Sequence, residues 1–286
     1  MINQEKQEQT IELAWERLYR RLEQDQLLPS QEKSKRVFFI SPAFRWVAAS
    51  IAILCVGALS VWIMKQQSTI PPNELLVLHN EQNAPTWATT LEDGSIVFLS
   101  EQTTIRYPEY FQEDKRMITL QGDAFFEISR QPDRPFIIDT EMAEIEVLGT
   151  FFHVKGGDAS AFLLSVKTGE VKVTLKKNNQ TIHVKAGEAA LLKSETLQIT
   201  AADMHLFNTC FEKIHFKDER LTDIARIINL QSTSTRIEVS PELDSRQLTI
   251  TFSGETPELM AQLICLALNL TYSQENNTIY MTQKDK

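Results

Sequence analysis

Residues Trp46 to Met64, WVAASIAILCVGALSVWIM, form a single uncharged apolar run, and it divides the chain in two. In a helix this run rises about 28 Å, close to the hydrocarbon thickness of a bilayer. Its flanks are asymmetric: Lys33, Lys35, Arg36 and Arg45 precede it, and only Lys65 follows closely. The positive-inside rule therefore places the N-terminus in the cytoplasm and the C-terminal part beyond the inner membrane. Trp46 and Trp62 stand near the two ends, where aromatic belts form. A buried soluble helix rarely goes five turns without a charge. A cleaved signal peptide has a short basic start, whereas 45 residues come first here. Gly57, with Ala48 and Ala52, gives the helix a small-residue face, but no full GxxxG is present. The expectation is a single-pass inner-membrane protein whose span includes Trp46, Gly57 and Met64.

Charge is distributed unevenly about this run. Residues 1–45 hold eight Lys/Arg and seven Asp/Glu, while the rest of the 286-residue chain holds 21 basic and 31 acidic residues. An acidic exported part argues against direct nucleic-acid binding, which needs a basic face. Of three cysteines, Cys55 lies in the span, and Cys210 and Cys265 would lie in an oxidising compartment. Two readings stand: a disulfide between them, or Cys265 as a small apolar core residue of the helical pattern Leu259–Leu270.

The stretch Thr10–Gln24 reads as a helix. Thr10 is an N-cap, and Ile11, Trp15, Leu18 and Leu22 fall on one stripe. A lone helix of this length is marginal in water unless its apolar face finds a partner, and 45 residues build little core. Residues 1–45 therefore read as a cytoplasmic docking segment, with packing on its own copy or on the membrane as the bland alternative. Residues 65–85 read as an extended periplasmic linker containing Pro71-Pro72.

Between 86 and 200 short alternating runs predict an all-β domain. Thr89–Leu91 and Ser95–Leu99 flank an Asp93-Gly94 turn. Nine further runs follow, from Met117–Leu120 to Ala189–Leu192, and Gly122-Asp123, Gly169-Glu170 and Gly187-Glu188 mark turns. Such a pattern suits a β-sandwich or a solenoid-like stack. From 208 to 286 the pattern changes to α+β in the order β-α-β-β-α-β. Phe211–Phe216 reads as a strand and Asp218 as a helix cap, followed by a stripe of Leu221, Ile224, Ala225 and Ile228. Thr256-Pro257 opens a second helix with a stripe of Leu259, Leu263, Leu266 and Leu270. The two helices share a local pattern, read either as a duplicated half or as the chance likeness of two amphipathic helices.

No catalytic set is visible. The five histidines, His79, His153, His183, His205 and His215, have no ligand or i, i+4 spacing, and GxSxG, P-loop and CxxC motifs are missing. No enzyme, cofactor or metal site is expected.

The segments LEDGSIVFLSEQTTIRYPEYF (91–111), LQGDAFFEI (120–128), RPFIIDT (134–140), IEVLGTFFHV (145–154) and VKTGEVKV (166–173) resemble the FecR family of transmembrane anti-sigma regulators. Leu99-Ser100 stands where many members have Leu-Asn. Residues 211–282 resemble, more loosely, the small α+β domain that follows FecR in Bacteroidota members and the signalling domains of secretins and TonB-dependent receptors. AWERLYRRL (14–22) is similar to the cytoplasmic start of such proteins. The resemblance implies a regulator that binds an extracytoplasmic-function (ECF) sigma factor through Ile11, Trp15, Leu18 and Leu22. It further implies a response to the signalling domain of an outer-membrane TonB-dependent receptor and release by regulated-proteolysis proteases. The alternative is a membrane-anchored periplasmic structural or ligand-binding protein.

Overall fold

The computed structural model describes residues 14–18, 20–21, 74–156, 162–232 and 234–284. The chain divides into two compact units, Met1–Ile70 and Pro71–Lys286. In the first, residues 14–18 and 20–21 are helical and exposed, and Glu16 and Arg20 pair one turn apart at 3.8 Å. The expected span 46–64 lies outside the described residues. Among those described, no helix is long and apolar enough to cross a membrane.

The second unit is mostly β-sheet. Its strands run β1 Leu75–His79, β2 Thr86–Thr90, β3 Ile96–Leu99, β4 Thr104–Pro108, β5 Arg116–Gln121, β6 Asp123–Glu127 and β7 Phe136–Asp139. There follow β8 Ala143–Val147, β9 Phe151–Lys155, β10 Leu163–Thr168, β11 Glu170–Leu175, β12 Thr181–Lys185, β13 Glu188–Lys193 and β14 Thr196–Ala201. A seven-stranded sheet, β1-β4-β5-β7-β8-β11-β12, faces a larger one beginning β14-β13-β10-β9-β6-β3-β2. Residues at period two fill the space between them: Val97 and Leu99, Ala124 and Phe126, Phe152 and Val154, Leu164 and Val166 from one side. Ile105, Ile118, Leu120, Phe136, Ile138, Ile145, Val171 and Val173 come from the other. This is a β-sandwich rather than a solenoid. Gly122, Gly169 and Gly187 all have positive φ, as their turns require.

The larger sheet does not stop at β2. The C-terminal part contributes α1 Leu206–Glu212, β15 Ile214–Arg220, α2 Leu221–Gln231, β16 Arg236–Val239, β17 Gln247–Phe252, α3 Pro257–Leu268, β18 Leu270–Glu275 and β19 Thr278–Gln283. Strand β15 pairs in parallel with β2, Ile214 opposite Thr86 and Phe216 opposite Ala88, and β17 pairs beyond it, so the larger sheet has nine strands. A separate three-stranded sheet, β16-β19-β18, completes the unit. Each of α2 and α3 runs from a strand of the large sheet to a strand of the small one.

This arrangement explains why β3 is apolar at every position. Val97 and Leu99 face the sandwich, while Ile96 and Phe98 face a second core with α1, α2 and α3. A strand covered on both faces loses the alternation of a half-buried one.

The structure corrects several expectations. Residues 86–200 and 208–286 share a sheet and a core, so the boundary expected near 200–208 does not separate two bodies. Strand β1 lies inside the stretch expected to be linker. Phe211 belongs to helix α1 rather than a strand, because Phe207, Cys210 and Phe211 fall on one helical face and are all buried. Asp218 does not cap α2: it sits at the β15 irregularity with φ 50° and bonds Thr249. The unit has an extra strand, β18, between α3 and β19. The stripe assigned to α3 is also displaced. Met260, Ala261, Ile264 and Cys265 face the core, and Leu259 and Leu266 face outward. Helix α3 is apolar on nearly every side, so periodicity alone could not choose its buried face.

Candidate functional site

The Asp93-Gly94 turn between β2 and β3 is built as an anchor. Asp93 and Arg116 form an ion pair at 2.7 Å with both side chains fully buried. Arg116 also donates from Nε to the Arg134 carbonyl at 3.0 Å and from Nη1 to the Ser129 carbonyl at 2.9 Å. Its guanidinium lies over the Phe136 ring, 5.3 Å from the centroid. Asp93 accepts from the Ser95 amide at 3.0 Å and hydroxyl at 2.6 Å. From the opposite side, Arg226 of α2 donates to the Gly94 carbonyl at 2.7 Å and pairs with Asp223 at 3.3 Å. One hairpin turn is therefore held by the sandwich and by the C-terminal part at once. Nearby Glu219 is buried, and its carboxyl is pushed above the usual range chiefly by desolvation. Burial likewise raises the Glu127 carboxyl.

Beyond this turn the contact becomes aromatic. Phe211 meets Phe98 edge to face at 5.3 Å, and Phe207 meets Phe151 at 5.4 Å and Phe125 at 6.0 Å. His153 lies against Phe125, ring centroids 4.3 Å apart and tilted by 37°, and its Nδ1 has no hydrogen-bond partner. Desolvation, helped by Lys155, lowers its pKa to about 4. Cys210 and Cys265 are both free and buried, which removes the disulfide reading. Burial pushes their thiols up to about 12 and about 11, so neither is a reactive thiolate.

Residues 87–172 match the family described as FecR protein. The chain carries a FecR domain. The match begins in β2 and ends in β11, so it covers the Asp93 turn, Arg116 and most of the sandwich. Two crystal structures of a candidate anti-sigma factor from Parabacteroides distasonis are similar at 21% identity. They cover 74% and 73% of this chain and 100% of their own, with TM-scores of 0.46 and 0.45. No curated protein matches significantly.

The FecR domain and its C-terminal extension bring together no catalytic cluster among the described residues. No three His, Cys, Asp or Glu side chains there are placed to hold a metal ion. His79, His183 and His215 each meet a different partner, Thr104, Glu170 and Thr251. What the unit carrying the FecR domain does offer is contact surface, and it lies beyond the matched residues. On α3, Leu266 is 81% exposed, with Leu259 beside it one helical repeat away. The free edge of β18 adjoins this helix and carries exposed Tyr272. By contrast, the edge of β16 is plugged: the Asn229 side chain donates to the Ile237 carbonyl and accepts from its amide, both at 2.8 Å.

Of the residues expected to bind a sigma factor, Trp15 is 59% exposed and Leu18 47% exposed on one short helical stretch. Ile11 and Leu22 lie outside the described residues, as do Trp46, Gly57 and Met64 of the expected span. Arg116, Arg226 and Asn229 were not singled out by sequence. Arg116 and Arg226 pair with groups distant along the chain, Asp93 and Gly94, and Asn229 reaches across a turn to Ile237, so no local spacing marks any of the three.

Proposed function

We propose that this protein is an anti-sigma factor and transmembrane signal transducer. Residues 1–45 hold an ECF sigma factor in the cytoplasm, 46–64 cross the inner membrane once, and the FecR unit acts in the periplasm. The FecR domain at 87–172 carries the reading. It is supported by the charge-free run before it and by the solvent-facing Trp15 and Leu18. Regulated proteolysis releases the sigma factor, and the protein itself performs no chemistry and makes no direct contact with nucleic acid.

The periplasmic signal arrives from the signalling domain of an outer-membrane TonB-dependent receptor. The outward leucines of α3 and the open β18 edge are the surface offered to it, because an unpaired edge beside apolar side chains suits strand addition. The Arg226 clasp and the phenylalanine contacts then connect that surface to the FecR domain.

The test is capture of the sigma factor by residues 1–45. Trp15→Ala should weaken binding about tenfold, the effect of losing an aromatic anchor worth roughly 1.4 kcal/mol or more. Unchanged capture would remove the docking helix from the reading. Failure of residues 1–45 to capture any sigma factor would favour a membrane-anchored structural protein. Fusions at residues 40 and 80 test the topology. In a sigma-dependent reporter strain, Leu266→Asp should abolish the response to inducer while leaving sigma capture intact. A point variant is preferable to deleting residues 208–286, which would uncover one face of the nine-stranded sheet.

A further inference from the structure

Among the described residues the second unit has six edge strands: β18 is the one offered above to the receptor, four others are guarded or polar, and β1 is neither. Strand β12 lies against β10 and β13 of the facing sheet. Strand β16 is plugged by Asn229 and carries Arg236 and Glu238. Strands β14 and β17 interleave apolar residues with Thr or Gln. Strand β1 has none of these protections. It reads Leu75-Leu76-Val77-Leu78-His79, pairs on one side with β4, and leaves Leu75 64% and Val77 55% exposed. No charge, proline or bulge interrupts it, which are the usual devices that keep an edge from pairing. Beside it lies a groove of about 410 Å³ lined by Leu75, Pro108 and Met117 and by the polar side chains of Arg106, Lys115 and Thr119.

We infer that β1 pairs antiparallel with β1 of a second copy, joining two seven-stranded sheets across a two-fold axis. Three observations favour a second copy as the occupant. Centred on Val77, the strand is complementary to itself: Val77 faces the partner's Val77, Leu76 faces Leu78, and Leu75 faces His79. No like charges are opposed within it. The assembly also closes at two copies, since the other edge of this sheet, β12, is covered by the facing sheet. Finally, a five-residue strand pair falls short of the roughly 1,200–2,000 Å² of a stable interface. Such a contact forms where copies are confined together. On the membrane reading above, the run 46–64 ends shortly before β1 and confines every copy to one plane, raising the effective concentration.

Cross-linking in native membranes tests this with the full-length chain in a Cys55→Ser background. Opposed residues of an antiparallel pair have Cα atoms about 4.5–5.5 Å apart, within disulfide range. Val77→Cys should give a covalent homodimer, and Ile199→Cys on the β14 edge should not. A second measurement uses two differently tagged full-length chains. Val77→Lys alone and Val77→Glu alone should each lose co-purification, because the position opposes itself, and co-expressing the two should restore it. Neither readout depends on sigma binding, so failure here is separable from failure of the regulatory role. No Val77→Cys dimer, equal linking through Ile199→Cys, a cross-link to a different protein, or no rescue by the charge pair would each overturn the inference.

Discussion

The losses from removing each partner of the Asp93–Arg116 pair should, added together, clearly exceed the loss from removing both. Both side chains are fully buried, so a lone survivor has no water to turn to. Asp93→Ala leaves a guanidinium among the Ser129 and Arg134 carbonyls with its charge unpaired. The expected loss is about 3–5 kcal/mol, the usual cost of breaking a buried pair from one side. Arg116→Met leaves the Asp93 carboxylate buried with only the two donors of Ser95, so its charge too is left unpaired. The double variant removes both desolvated charges. It then bears only the unpaired carbonyls, each about 1–3 kcal/mol. The single losses should therefore exceed the double loss by about 2 kcal/mol or more when summed. Urea unfolding of residues 71–286, followed by circular dichroism, measures all four corners of the cycle. Strict additivity, or single losses below about 1 kcal/mol, would refute the idea that this turn is held by a desolvated ion pair.

Acidification should weaken the fold through His153. The folded imidazole titrates near 4 and the unfolded one near 6.5, so the unfolded chain binds the proton first. This contribution is intact above about pH 6.5 and is lost on descending to about pH 4, on the order of 3 kcal/mol in total. His153→Leu should flatten the stability profile across that window in a pH series of denaturation curves. Gly122→Ala should be much more damaging than Gly187→Ala. Both have positive φ, but a Cβ at 122 would meet the Thr103 Cα at 2.8 Å, whereas one at 187 meets nothing within 4 Å. The second should cost only the left-handed penalty of about 1–2 kcal/mol, and thermal melts compare the two directly. Arg226→Met should speed hydrogen exchange at Gly94 and along the first turn of α2, while the amides of β7 and β8 in the far sheet stay protected.

The sandwich was legible because its strands alternate and its turns use glycine. The runs around Val97, Phe126, Phe136, Val154 and Val173 appear as strands in both readings. Strand β4 escaped because Ile105 and Tyr107 are separated by polar residues within a short segment, and β14 because its second apolar residue, Ile199, points to solvent. Strand β1 was hidden in a stretch that Pro71-Pro72 made look like linker. The fusion of the C-terminal part with the FecR sheet left a trace only in the unbroken apolar run of β3, whose second covering layer comes from residues over a hundred positions later. Long-range pairing of that kind has no local signature. At the candidate site, Trp15 and Leu18 were read from helical spacing, and both are exposed. The Asp93 turn was recognised as a turn but not as an anchor, since its partner Arg116 lies on another strand.

The doubly covered strands have a thermodynamic consequence. Strands β3, β6 and β9 each supply side chains to both hydrophobic cores, alternating along the backbone. Neither core can melt while the other keeps these strands straight and paired. Residues 74–284 should therefore unfold in one cooperative transition, with a denaturant sensitivity set by their whole length rather than by either half. A body of this kind cannot relay a stimulus by swinging its last segment on a hinge. Load applied at α3 or β18 must be borne by the entire unit, which either moves as one piece relative to what holds it or gives way entirely and becomes open chain.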